Sequence, residues 1–185
     1  MNKQNKHIGK LMSLALRHQP DVLQFELDKQ GWVYVTDLLK GLNRKGIRID
    51  RARLNEIVET NDKKRYAFSE NGLKIRANQG HSIPVELALE KQEPPYTLYH
   101  GTVGKFMQNI NEKGLLKMSR QHVHLSATKD TATAVGSRRG RPVILKIKAK
   151  EMHDKGFDFY CSENGVWLTE HVPPEFIERM AGTPT

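Results

Sequence analysis

Three short stretches of this chain concentrate side chains able to hold or protonate an anion: Leu16-Arg17-His18, Lys63-Lys64-Arg65-Tyr66, and Arg120-Gln121-His122-Val123-His124-Leu125-Ser126. Arginine offers a planar fork of donors that matches phosphate oxygens and stays charged at working pH, so converging arginines hold a phosphoryl group without a metal. Histidine titrates near neutrality, so His18 can act as a proton donor or simply as a hydrogen-bond donor to such a group. Each residue also has a plainer reading. Arg17 at a helix end is a solvated charge beside the negative pole of the dipole. Basic residues on a hairpin discourage edge pairing, and Ser126 after a strand suits an ordinary helix cap. Their meaning depends on the elements that carry them.

From Lys6 to His18 the residues Ile8, Leu11, Met12, Ala15 and Leu16 recur at helical spacing, and Pro20 stops the helix near His18. Gly31 to Val35 reads as an extended segment. Thr36 can then cap a helix carrying Leu38, Leu39 and Leu42, and Asp50 can cap a third with Leu54, Ile57 and Val58 on one face. Arg65-Tyr66-Ala67-Phe68 and Leu73-Lys74-Ile75-Arg76 flank Asn71-Gly72, a pair favoured in tight hairpin turns. Three helices and a hairpin predict a winged-helix-like lobe over residues 1–82. The change of composition over 83–95, with Pro84, Pro94 and Pro95, suits a connector. In 96–185, strands are expected at Thr97 to His100, Val123 to Leu125, Val143 to Ile147 and Gly165 to Leu168, with helices around Phe106 to Glu112 and Ala132 to Ser137. The fold class is α+β.

Thirty Lys and Arg against 21 Asp and Glu give a formal charge of +9 in 185 residues, which favours an anionic partner such as nucleic acid. The single cysteine, Cys161, excludes an intramolecular disulfide framework and a cysteine zinc cluster, and a buried, reduced thiol in the cytoplasm is expected. No phosphate-loop pattern is present, which withdraws support from ATP-dependent chemistry. No apolar run reaches bilayer length, so no membrane association is expected.

Six stretches follow one another in a particular order: LALRHQP, DKKRYAF, IRANQGHSI, LYHGT, RQHVHLS and GVWLTE. In wording and order the chain resembles the NAD-dependent RNA 2′-phosphotransferases, of which tRNA 2′-phosphotransferase is an example, over residues 5–180. The resemblance implies an ADP-ribosyltransferase-fold second lobe facing the winged-helix-like first, with the active site between them. It assigns the family's catalytic Arg-His-Arg-Arg set to Arg17, His18, Arg65 and Arg120. It assigns the NAD site to His100, Gly101 and Thr102 of LYHGT and to His124 and Ser126. Where many other ADP-ribosyltransferases carry a glutamate, GVWLTE offers Val166, a departure shared by the phosphotransferase subfamily.

The reaction so implied consumes NAD as co-substrate and needs no metal. The internal 2′-phosphate of an RNA, as left at a tRNA splice junction, attacks the nicotinamide ribose and forms an ADP-ribosylated 2′-phospho-RNA. The neighbouring 2″-hydroxyl then attacks phosphorus and releases 2′-OH RNA and ADP-ribose 1″,2″-cyclic phosphate. Arg65 and Arg120 would clamp the phosphate while Arg17 and His18 complete the site. RNA backbone contacts are expected at Lys6, Lys10, Lys63, Lys64 and Arg138 to Arg141, in a monomer. Two other readings compete: an ADP-ribosyltransferase that stops after the first step and caps a terminal phosphate, and a winged-helix binder that senses NAD without turnover.

Overall fold

The computed structural model describes residues 3–61, 63–87 and 89–180; the outer limits of the expected lobes, 1 and 185, lie outside these. The chain divides into two compact units, Met1–Ala88 and Leu89–Thr185. Each has its own hydrophobic core. Both mix helices with small antiparallel sheets. Among the described residues no helix is long and apolar enough to cross a membrane.

In the first unit, α1 (Lys3–Arg17) buries Ile8, Met12, Ala15 and Leu16, the residues whose spacing predicted it. It ends where the amides of both His18 and Gln19 bond to the Leu14 carbonyl and Pro20 opens a 3-10 turn, Pro20–Leu23. Then come β1 (Val33–Tyr34), α2 (Val35–Arg44), α3 (Arg51–Glu59), β2 (Tyr66–Phe68) and β3 (Lys74–Ala77). Asp50 caps α3 as expected, its carboxylate accepting from the Arg53 amide at 2.9 Å.

Two details differ from the sequence reading. Helix α2 begins at Val35 directly off the strand, without a cap from Thr36, because the Val35 amide donates to the Leu73 carbonyl at 2.9 Å and needs no side-chain acceptor. Asn71-Gly72 does turn the chain, with Gly72 at φ +67°, but inside a longer loop closed by a bond from the Ser69 amide to the Lys74 carbonyl. Strand β3 lies between β1 and β2, with Phe68 opposite Ile75 and Tyr34 opposite Lys74. One face of this sheet, with Val33, Tyr66, Ile75 and Ala77, closes the helical core.

The second unit opens with β4 (Leu98–Val103), a 3-10 turn (Gly104–Phe106) and α4 (Met107–Lys113). It continues through β5 (Leu115–Leu116), β6 (Val123–Leu125), α5 (Lys129–Gly136) and a 3-10 turn (Ser137–Arg139). After β7 (Pro142–Ile147) and α6 (Ala149–Asp154) come β8 (Tyr160–Cys161), β9 (Trp167–Thr169) and β10 (His171–Val172). A 3-10 turn (Pro174–Phe176) and β11 (Ile177–Arg179) complete it.

The sheets run β4-β7-β11 and β6-β9-β8, with a β5-β10 pair. Val143, Ile144, Leu145 and Ile147 are all buried because β7 is the central strand of its sheet. Mutual bonds between Tyr99 and Ser126, at 2.8 and 2.7 Å, hold β4 beside the end of β6. Cys161 is half-buried, not buried as expected, because β8 is an edge strand; burial still pushes its thiol pKa up.

Candidate active site

Arg17 ends α1, where its charge complements the carbonyl end of the helix. The following residue, His18, is exposed, and its Nδ1 lies 2.8 Å from the Ser82 hydroxyl. The Ser82 amide also donates to the Arg17 carbonyl at 3.0 Å. One residue therefore holds the backbone of Arg17 and the ring of His18.

Arg65 sits immediately before β2 on a scaffold of two buried asparagines. Its amide and guanidinium both donate to Asn61 Oδ1, and its carbonyl accepts from the Asn78 amide at 2.9 Å. Asn78 Nδ2 donates to the Lys64 carbonyl at 2.8 Å, where Lys64 takes the left-handed conformation at φ +40°.

Tyr66 is the common neighbour. Its hydroxyl donates to the Gly9 carbonyl at 2.6 Å and accepts from Ser13 at 2.6 Å. Burial pushes its pKa up, while Ser13, Arg17 and Arg65 oppose the rise. Tyr66 thereby ties the strand that follows Arg65 to the helix that ends in Arg17, and both guanidinium charges act on its hydroxyl.

His81 also feels the charge of Arg17. It is 1% exposed, and among the described residues neither ring nitrogen has a hydrogen-bond partner. Burial first, then the charges of Arg17, His18 and Arg76, push its pKa down to about 4.

In the second unit, β4 carries His100 and β6 carries His124. His100 Nδ1 lies 3.0 Å from the His124 carbonyl, which can only accept, so Nδ1 carries the proton and Nε2 of the neutral ring is an acceptor. Burial, then Arg120 and Arg139, lower the His100 pKa against the opposing pull of that carbonyl. Arg120, in the loop before β6, donates through Nη1 to His124 Nδ1. A permanently protonated arginine makes Nδ1 of His124 an acceptor. Ser126 follows β6 and pairs with Tyr99. The ladder between β6 and β9 ends at Leu125 and Trp167, and Val166, just before β9, bonds instead to Ser162 through its amide and carbonyl.

Gly101 and Thr102 extend β4 beyond His100, and Gly101 has a packing role of its own. A Cβ there would lie 1.8 Å from the Ala132 carbonyl oxygen, so only glycine lets α5 seat against β4. The guessed RNA-contacting residues Lys6, Lys10, Lys63, Lys64, Arg138, Arg139 and Arg141 are all exposed.

Sequence reasoning singled out IRANQGHSI and gave it no role. Its Arg76, Asn78, His81 and Ser82 prove to be the supports and neighbours of Arg17, His18 and Arg65. The signal was a polar motif directly after a strand, unexplained by turn or cap.

The sequence that forms these units is similar to those of known proteins. A family model described as RNA 2′-phosphotransferase, Tpt1 / KptA family, matches residues 3–171. A protein of Flavobacterium johnsoniae named "Probable RNA 2′-phosphotransferase" is 56% identical over 173 residues, 94% of this chain and 95% of its own. Proteins of the same name from Rhodopirellula baltica and Pectobacterium atrosepticum are 51% and 46% identical over 177 and 180 residues, covering 95% and 97% of this chain and 96% and 100% of their own. The family match takes in most of each unit and all the arginines and histidines described above, and the chain therefore belongs to the RNA 2′-phosphotransferase family.

Proposed function

We propose that this protein removes the internal 2′-phosphate of an RNA, of the kind a tRNA splice junction carries, by transferring it to NAD. In this reading the first unit is a winged-helix-like lobe and the second an ADP-ribosyltransferase-like lobe. The observation that carries the proposal is the tie, through the Tyr66 hydroxyl, between the helix that ends at Arg17 and the strand that follows Arg65, with His18 next to Arg17 and held by Ser82, in a chain of this family. The 2′-phosphate displaces nicotinamide, and the adjacent ribose 2″-hydroxyl then attacks phosphorus, giving 2′-OH RNA and ADP-ribose 1″,2″-cyclic phosphate.

The chain's own residues supply binding and charge. Arg17 and Arg65 bind phosphate oxygens, and Arg120, the fourth residue of the catalytic set, stabilises the charge that develops in the second step. His18, its Nδ1 engaged by Ser82, meets the phosphate or the departing RNA 2′-oxygen through Nε2. The dinucleotide falls to His100, Gly101, Thr102, His124 and Ser126. His100 Nε2 is an acceptor of the right kind for a sugar hydroxyl, and the side-chain hydroxyls of Thr102 and Ser126 can serve as donor or acceptor. All of this is phosphate and sugar recognition by position and charge, with no step assigned to a metal. The protein is read as a cytoplasmic monomer.

The test is incubation of purified protein with NAD and a short RNA carrying one internal 2′-phosphate, with no metal added, and mass spectrometry of RNA and nucleotide products. Loss of the phosphate with formation of the cyclic phosphate is the expected result. A stable RNA-phosphate-ADP-ribose adduct would overturn it in favour of an ADP-ribosyltransferase, and binding without NAD consumption in favour of a sensor.

A further inference from the structure

The sheet of the first unit has a second face. Along β3, Ile75 and Ala77 point into the core, so alternation sends Lys74 and Arg76 to the opposite side. There each cation lies over an aromatic ring: the Arg76 guanidinium is 4.5 Å from the centre of Trp32, and the Lys74 ammonium 5.2 Å from that of Tyr34. Tyr34, paired with Lys74 in the ladder, is 53% exposed. The Arg76 end of this strand adjoins Arg65, because Ala77 pairs with Tyr66 and the Asn78 amide donates to the Arg65 carbonyl at 2.9 Å.

From the Arg65 end of the sheet, then, a line of alternating charge and ring runs outward through Arg76 and Trp32 to Lys74 and Tyr34. Its two steps are about 7 Å apart, one two-residue repeat of a strand, a spacing suited to successive nucleotides of an extended chain. The charged residues of β1 and β3 are the cations Arg76 and Lys74, and Asp28 accepts from Lys74 Nζ at 3.0 Å. An ammonium has three donors, so the bond to Asp28 leaves Lys74 able to reach a phosphate. A face built only for solubility has no use for two large rings on this register. A single-stranded polyanion with flat bases uses both parts, since bases stack on aromatic faces while cations follow the backbone.

We infer that this outer face carries the single-stranded RNA flanking the 2′-phosphate, with Tyr34 as a base-stacking platform one step beyond Trp32 and Lys74 as a backbone contact. The inference rests on the activity proposed above for its RNA substrate, and it adds a surface outside the residues assigned to the chemistry.

The experiment measures binding of two fluorescent RNAs to the full chain without NAD: a 2′-phosphorylated dinucleotide, and a hexanucleotide with the same 2′-phosphate near one end. Stacking of one base predicts that Tyr34→Ala weakens the hexanucleotide about tenfold and leaves the dinucleotide unchanged. Tyr34→Phe, which keeps the ring, should bind both as the unaltered protein does. Lys74→Gln should lower the salt dependence of hexanucleotide binding by about 0.7 in the log-log slope. Unchanged hexanucleotide binding in Tyr34→Ala would overturn the inference, as would equal losses for both RNAs. Competition by a polyglutamate peptide as strong as by RNA would overturn it in favour of an acidic protein partner. If Tyr34→Ala weakens the hexanucleotide selectively while the unaltered protein leaves the 2′-phosphate in place, the RNA surface stands and only the assigned activity fails.

Discussion

Acid should destabilise the first unit through His81. Its ring is 1% exposed with both nitrogens unpartnered among the described residues, and its pKa falls from the ordinary 6.5 to about 4. In the unfolded chain the same ring binds a proton as pH drops through 6.5, while in the folded state it stays neutral until about pH 4. The unfolded state therefore holds more protons across that window, and stability declines as pH falls. At about 1.4 kcal/mol per tenfold change in proton affinity, the whole descent is worth roughly 3 kcal/mol, a large share of a domain's usual margin. The charged groups that face the ring, Arg17, His18 and Arg76, all act in this direction.

The assay is urea unfolding followed by Trp32 fluorescence in a Trp167→Phe background, so that the first unit alone reports, at intervals from pH 7 to pH 4. His81→Gln, which cannot titrate, should start from lower stability and lose most of the slope. A flat profile in the parent, or an equal slope in His81→Gln, would refute the reasoning.

Ser82→Ala should cut turnover about tenfold through loss of one positioning bond worth roughly 1 kcal/mol or slightly more, and Ser82→Thr should restore it. In a His18→Ala background the same change should cost nothing further, and a kinetic double-mutant cycle checks this. Arg65→Ala and Arg120→Ala should slow the second chemical step so that ADP-ribosylated RNA accumulates while circular dichroism stays native; normal product release by both variants would remove them from that role. Gly101→Ala should destabilise the second unit by several kcal/mol, since the new methyl would overlap the Ala132 carbonyl. A melting temperature within a degree or two of the parent would show that α5 can shift at little cost.

Local rules reached much of this molecule and stopped where partners are distant. Helix α1 was legible because its apolar residues keep helical spacing and Pro20 closes it, and α3 because Asp50 caps it. The start of α2 was not, since the acceptor for the Val35 amide is Leu73, far along the chain. The two-residue strands β5, β8 and β10 are too short to show a period. In the site, Arg17, His18 and Arg65 were visible as residue types in a family order. Ser82, Asn61 and Asn78 were not assigned, because a support is recognised by what it touches. A serine hydroxyl beside a histidine ring leaves no periodic trace in the sequence.

The bond between His18 and Ser82 spans 64 positions and ties the end of the first helix to a segment near the close of its unit. Closing so long a loop carries an entropy cost that is met only when most of the intervening chain is already in place. During synthesis, His18 leaves the ribosome early and waits for almost the whole unit before its ring is fixed. Nascent and truncated chains therefore lack the finished His18-Ser82 corner, and its assembly is a late marker that the first unit has folded to completion.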